Sequence, residues 1–213
     1  MLKLLRIIGR TMLLLAGLYW VNACKAQTLS ASVACMESKW TLTGSFMTTL
    51  DKKEKISLAT VARYDAPYAD GESRNMIIGN MGYAFSPSFV ALLGTLYSPP
   101  SSFSPIIALQ YIWSKENLSI LLFPNLILGE NPSLLSFIMA EYSKPLNTKL
   151  NWFIRAQPFV VNGFHDHYFS SIRMKTGLIK RKLQGGLAID NDFFGNHWTH
   201  ELHLGIFVQY QIF

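Results

Sequence analysis

Beyond its first 26 residues this chain has almost no cysteine, no continuous apolar run of 18 residues and no glycine-rich phosphate loop. Each absence narrows the field. Cys35 is the one thiol in that stretch, so a disulfide framework is excluded and no cysteine pair can hold zinc. With no long apolar run, no helix there is suited to crossing a bilayer. Neither G-x-x-x-x-G-K-[ST] nor G-x-G-x-x-G occurs, which removes the common nucleotide-binding signatures. Helical periodicity is also missing from the windows between turn signals.

What is present starts with "MLKLLRIIGRTMLLLAGLYWVNACKAQ". Lys3, Arg6 and Arg10 precede a short apolar stretch, Thr11 to Val21, and small residues follow up to Ala26. This layout predicts a secretory signal peptide over residues 1–26 and export of the remainder. The alternatives are an uncleaved helical anchor and lipidation at Cys24. Removal of the leader takes Lys3, Arg6, Arg10 and Lys25 and no acid, so the formal charge falls from +6 to +2. No basic stripe interleaved with aromatics remains, and a nucleic-acid partner is not expected. Residues 27–213 are enough for one domain. Half of the full chain is apolar, and an exported chain must place that surface in a soluble β core or in lipid.

Period-two alternation dominates the rest. In "WTLTGSFMTTL", Trp40, Leu42, Gly44 and Phe46 oppose Thr41, Thr43, Ser45 and Met47. In "LNWFIRAQPFV", Leu150, Trp152, Ile154 and Ala156 oppose Asn151, Phe153, Arg155 and Gln157. The pattern predicts an all-β fold, an antiparallel transmembrane barrel of about 12 strands with eight as the lower bound. The expected strands are 28–36, 39–50, 55–64, 76–85, 88–97, 105–114, 118–128, 133–143, 149–160, 168–179, 183–190 and 201–213. Between them, apart from the brief connections at 37–38 and 129–132, longer connections (65–75, 98–104, 161–167, 191–200) alternate with short ones, as external loops alternate with periplasmic turns in outer-membrane barrels. A sandwich gives no reason for such sorting. "FVALLGTLY" and "LSILLFPNLIL" are apolar on both faces, and Pro124 in the second predicts a gap in a ladder. Aromatics near strand ends, such as Trp40, Tyr64, Trp152 and Tyr210, suit interfacial girdles.

The closing residues "GIFVQYQIF" resemble the C-terminal strand of bacterial outer-membrane β-barrels, which commonly ends in phenylalanine. Here Phe213 is out of phase with Tyr210 and Ile212, and Gln209 and Gln211 occupy positions the family usually keeps apolar. The general look is similar to uncharacterised barrels of Bacteroidota-type outer membranes. The resemblance implies outer-membrane location, lipid around the barrel and recognition by the barrel-assembly machinery.

The candidate lumen-lining residues are Lys55, Arg63, Arg155, Arg173, Lys175, Asp190 and Glu201, with Glu141 as a further acid. Charges on inward faces read either as an internal salt-bridge network or as a narrow, mildly anion-favouring passage. His165, His167, His197, His200 and His203 are expected in or beside external loops. On a strand, residues three apart point to opposite faces, so "HWTHELH" is not expected to bind metal, and no cofactor is implied. The outer-membrane phospholipase A type, also twelve-stranded, uses His, Ser and Asn at the external leaflet. By that resemblance His167 with Ser170 or Ser171, or His203 with Asn196, would act as base and partner. The functional expectation is therefore a small anion-favouring channel or a structural or interaction barrel. The alternatives are a lipid-modifying enzyme with a histidine base at the external rim, and a soluble periplasmic sandwich or lipid-binding barrel.

Overall fold

The structure is a computed structural model, and it describes residues 26–68, 73–99, 103–129, 131–163 and 166–212. The expected leader up to residue 25, His165 and Phe213 lie outside those residues. Twelve strands follow in chain order: β1 (Ala26–Met36), β2 (Lys39–Thr49), β3 (Ile56–Pro67), β4 (Arg74–Ala84), β5 (Phe89–Tyr97) and β6 (Phe103–Lys115) come first. Then come β7 (Leu118–Ile127), β8 (Ser133–Asn147), β9 (Leu150–Gly163), β10 (His167–Lys180), β11 (Leu183–Phe194) and β12 (Thr199–Gln211). Each strand pairs antiparallel with its sequence neighbours, and β1 pairs with β12 to close the barrel. The sandwich alternative is thereby overturned: among the described residues one continuous ladder leaves no second sheet and no edge.

The alternation in the sequence becomes the two walls. Outward residues are apolar and uncovered, with Leu93 60%, Leu187 61% and Ile206 61% exposed. All twelve expected strands form, and the differences lie at their ends. β3, β9 and β11 run on to Pro67, Gly163 and Phe194, beyond the expected 64, 160 and 190, because their polar or aromatic ends still find cross-strand partners. The distal links shrink accordingly, and the 50–55 turn at the terminus end is as long as the 68–73 link. That turn is held by its own bonds, with Ile56 N donating to Asp51 Oδ1 at 2.7 Å and Glu54 at φ 56°. Sorting by loop length is weaker than expected.

Both segments that are apolar on two faces are explained by the interior. Inward residues of β4 to β9, Ile78, Leu96, Ile106, Ile127, Leu135 and Phe159, form one packed cluster in the half of the barrel away from the termini. Pro124 acts as expected. The β6–β7 register skips Leu109 and Gln110 opposite Phe123 and Pro124, and Asn125 Nδ2 donates to the Phe123 carbonyl at 2.8 Å.

A second cluster joins Phe153, Phe207, Ala34, Met36 and Ala188. One cross-strand row explains it: Phe153 lies opposite Gly177, Gly177 opposite Gly186, and Gly186 opposite Phe207. The two glycines leave the space in which the two rings meet edge to face, 6.0 Å between centroids. A Cβ on Gly177 would lie 2.1 Å from the Gly185 carbonyl oxygen.

Candidate functional site

The inward faces of β2, β3 and β8 to β11 carry charge, and most of the charges are paired. Arg63 on β3 donates through Nε to both carboxylate oxygens of Asp65, at 2.9 and 2.8 Å. Thr41 Oγ1 donates to the same Asp65 at 2.7 Å. Arg63 Nη2 reaches Asp190 on β11 at 3.3 Å, and Arg173 Nε stands 3.9 Å from that carboxylate. Lys39 on β2 donates to Asp192 on β11 at 2.8 Å. Arg155 on β9 pairs with Glu141 on β8 and donates to Gln209 at 3.2 Å and Gln184 at 3.3 Å. β3 and β11 are not neighbours, so the Arg63–Asp190 contact is a chord through the bore. Pairing of this kind is what makes charge tolerable in a low-dielectric interior.

Two of the expected lumen residues stand at the ends of the bore. Lys55 lies in the 50–55 turn, before β3 begins, and is exposed; the strand starts one residue later than its apolar pattern suggested. Glu201 has the inward parity of β12, but it sits at the distal rim with its side chain 54% exposed. Lys39, Asp65 and Asp192 belong to the interior network although the alternation did not single them out. Asp65 and Asp192 fell in segments expected to be loops.

The histidines separate. His203 is not a loop residue: it is buried on the inner wall, with Nδ1 2.6 Å from Ser38 Oγ and Nε2 3.6 Å from Glu201. His200 is on the outer wall beside Phe193, and His197 is exposed in the 195–198 link. Among the described residues, no three His, Cys, Asp or Glu side chains converge as a metal site. His167 makes the most specific arrangement. Its Nδ1 is 2.9 Å from the Gly195 carbonyl oxygen and its Nε2 is 2.7 Å from Ser170 Oγ. A carbonyl can only accept, so Nδ1 carries the proton and Nε2 accepts from the serine hydroxyl. The imidazole stacks on Trp198 at 4.2 Å. Asn196 ties the two links together, accepting from His167 N and donating to Asp166 Oδ1, each at 2.8 Å.

The distal mouth is crossed by side chains. Arg74 on β4 lies 4.6 Å over the ring of Phe194 on β11, from the opposite side of the barrel. Phe194 touches Phe169, and Phe169 touches Phe159 of the apolar cluster, at 5.3 and 6.0 Å. Arg173 lies 5.9 Å over Phe159 and joins the charged and apolar sides. In the terminus-side half, by contrast, inward Met47 and Ile112 remain exposed.

No family model and no curated protein matches the sequence. Solved structures do match in fold. The KdgM porin is similar over 86% of this chain and 98% of its own, with a TM-score of 0.51 and 11% identity. The NanC porin (TM-score 0.48, 6% identity, 85% and 97% covered) and LpxR from Salmonella typhimurium (0.48, 7%, 86% and 99%) are further neighbours. At these identities the likeness is one of architecture: the chain has the closed, twelve-stranded fold of outer-membrane β-barrels.

Proposed function

We propose that the protein is an integral outer-membrane barrel, closed across its distal half, with a structural or interaction role rather than that of an open solute channel. The outer wall supports the membrane assignment. Leu187, Ile206 and Leu93 stand exposed on a continuous apolar surface that water would penalise and acyl chains would not. With the termini on the periplasmic side and a leader over residues 1–26, the distal rim lies at the external leaflet. The observation that carries the closed reading is the Arg74–Phe194 contact across the mouth, backed by the apolar cluster beneath it. Liposome swelling tests it. Wild-type protein that migrates heat-modifiably from the outer-membrane fraction should leave liposomes tight to small sugars, and Arg74→Ala with Phe194→Ala should make them leak. Leakage through the wild type at the rate of an open porin would reject the reading.

A second reading rests on the His167–Ser170 contact at 2.7 Å on the outer wall near that rim. The serine hydroxyl would attack a lipid ester while Nε2 takes its proton and passes it to the leaving alcohol; water would then release the acyl group. Hydrolysis of phospholipid in mixed micelles, lost in both His167→Gln and Ser170→Ala, would establish it. Folded wild type without such activity would leave the contact a structural one.

A further inference from the structure

The interior network has one cation more than it has acids to pair. Asp65 serves Arg63, Glu141 serves Arg155, Asp192 serves Lys39, and Asp190 lies between Arg63 and Arg173. Lys175 is left. Among the described residues no carboxylate is within ion-pair distance of its ammonium, which has Ser32 Oγ at 3.5 Å and the ring of Phe207 at 4.7 Å. Its register partner on β9 is Arg155, and Arg173 is two residues away on the same inward face; the acid diagonal to it on β11, Asp190, is already shared by Arg63 and Arg173.

On the terminus side of Lys175 come the buried Phe153 and Phe207 rings and, one inward step further, the amides of Gln184 and Gln209. Guanidinium offers only N–H groups, so the Gln184 and Gln209 carboxamides must turn their oxygens toward Arg155, as the 3.3 and 3.2 Å contacts record. Their NH2 groups then remain to donate into the bore. An ammonium without a carboxylate of its own, two amide donors and a serine hydroxyl lie on the inner wall of a lumen in which Met47 and Ile112 are open.

We propose that this stretch of the inner wall, centred on Lys175 and reached from the terminus end, binds a small oxyanion, a carboxylate or phosphate group. Such a group supplies the missing counter-charge and accepts from every donor around it. The site goes beyond the closed-barrel reading and depends on it only for the side of entry, so binding and conductance can fail separately.

Inorganic phosphate and acetate serve as probes, with chloride at matched ionic strength as the control. Titration of folded protein in micelles, followed by calorimetry and by the midpoint of its heat-modifiable transition, should show saturable stabilisation by an oxyanion and none by chloride. Acetate alone acting would identify a carboxylate site, and phosphate alone a phosphate site. Lys175→Arg should retain binding, and Lys175→Met should weaken it about tenfold or more. Gln209→Glu, which builds in a carboxylate, should remove the response while keeping the fold. An oxyanion effect no larger than that of chloride, or one unchanged in Lys175→Met and Gln209→Glu, would overturn the proposal.

Discussion

At the scale of single residues, charge and burial together decide which positions matter. Asp190 faces Arg173 and reaches Arg63 inside the bore, so Asp190→Ala leaves Arg173 without a carboxylate while Arg63 keeps Asp65. Removal of one partner of a buried pair costs about 3–5 kcal/mol, and the urea midpoint of the folded barrel in micelles should fall accordingly. Glu201 is half in solvent, and Glu201→Gln should move the same midpoint by no more than about 0.5 kcal/mol. An equal effect of the two would contradict the placement of these residues. Alternation alone does not distinguish them, because parity says which wall a residue is on and nothing of its height in the barrel. Arg63, Arg155, Arg173, Lys175 and Asp190 were legible as inward from their apolar neighbours on the other face. Asp65 and Asp192 were not, since each lies where a strand outlasts its apolar pattern, and Lys39 stands at the very start of its strand, before the apolar alternation begins. The His167–Ser170 contact depends on the register shift between His167 and Phe169, which no spacing in the sequence announces.

At the scale of elements, the strands themselves were readable and their packing was not. Period two separated β2, β9 and β12 into walls before any pairing was known, because lipid and lumen demand opposite residues of one strand. The interior row Phe153, Gly177, Gly186, Phe207 needs the register of four strands, and adjacent glycines in "LQGGLAID" say nothing of it alone. Gly177→Val would drive a side chain into the Gly185 carbonyl oxygen. It should destabilise the barrel by about 1–3 kcal/mol or more, read as a lowered midpoint of the heat-modifiable transition. The outer wall gives the complementary test. Ile206→Arg near mid-strand should cost about 2–4 kcal/mol in a bilayer, while Met47→Arg, inward on the open side, should cost much less. Equal tolerance of arginine on the two walls would reject the register.

For the whole molecule, the same twelve strands are compatible with a pore or a plug, and the content of the bore decides between them. The inward side of β4 to β9 is filled with Ile, Leu and Phe, and the facing side is laced by ion pairs that join strands three and four places apart. The excess positive charge visible in the sequence suggested an anion-favouring passage. Paired acids on β3, β8 and β11 reduce that excess to Lys175, and the crossing of the mouth by Arg74 and Phe194 removes the continuous path. Single-channel recording in planar bilayers addresses this claim most directly. Folded wild-type protein should give a quiet baseline, and Arg74→Ala with Phe194→Ala should give small steps with a modest anion preference that weakens as salt rises. Regular conductance steps from the wild type itself, shifted toward cations by Arg155→Glu, would contradict a closed barrel.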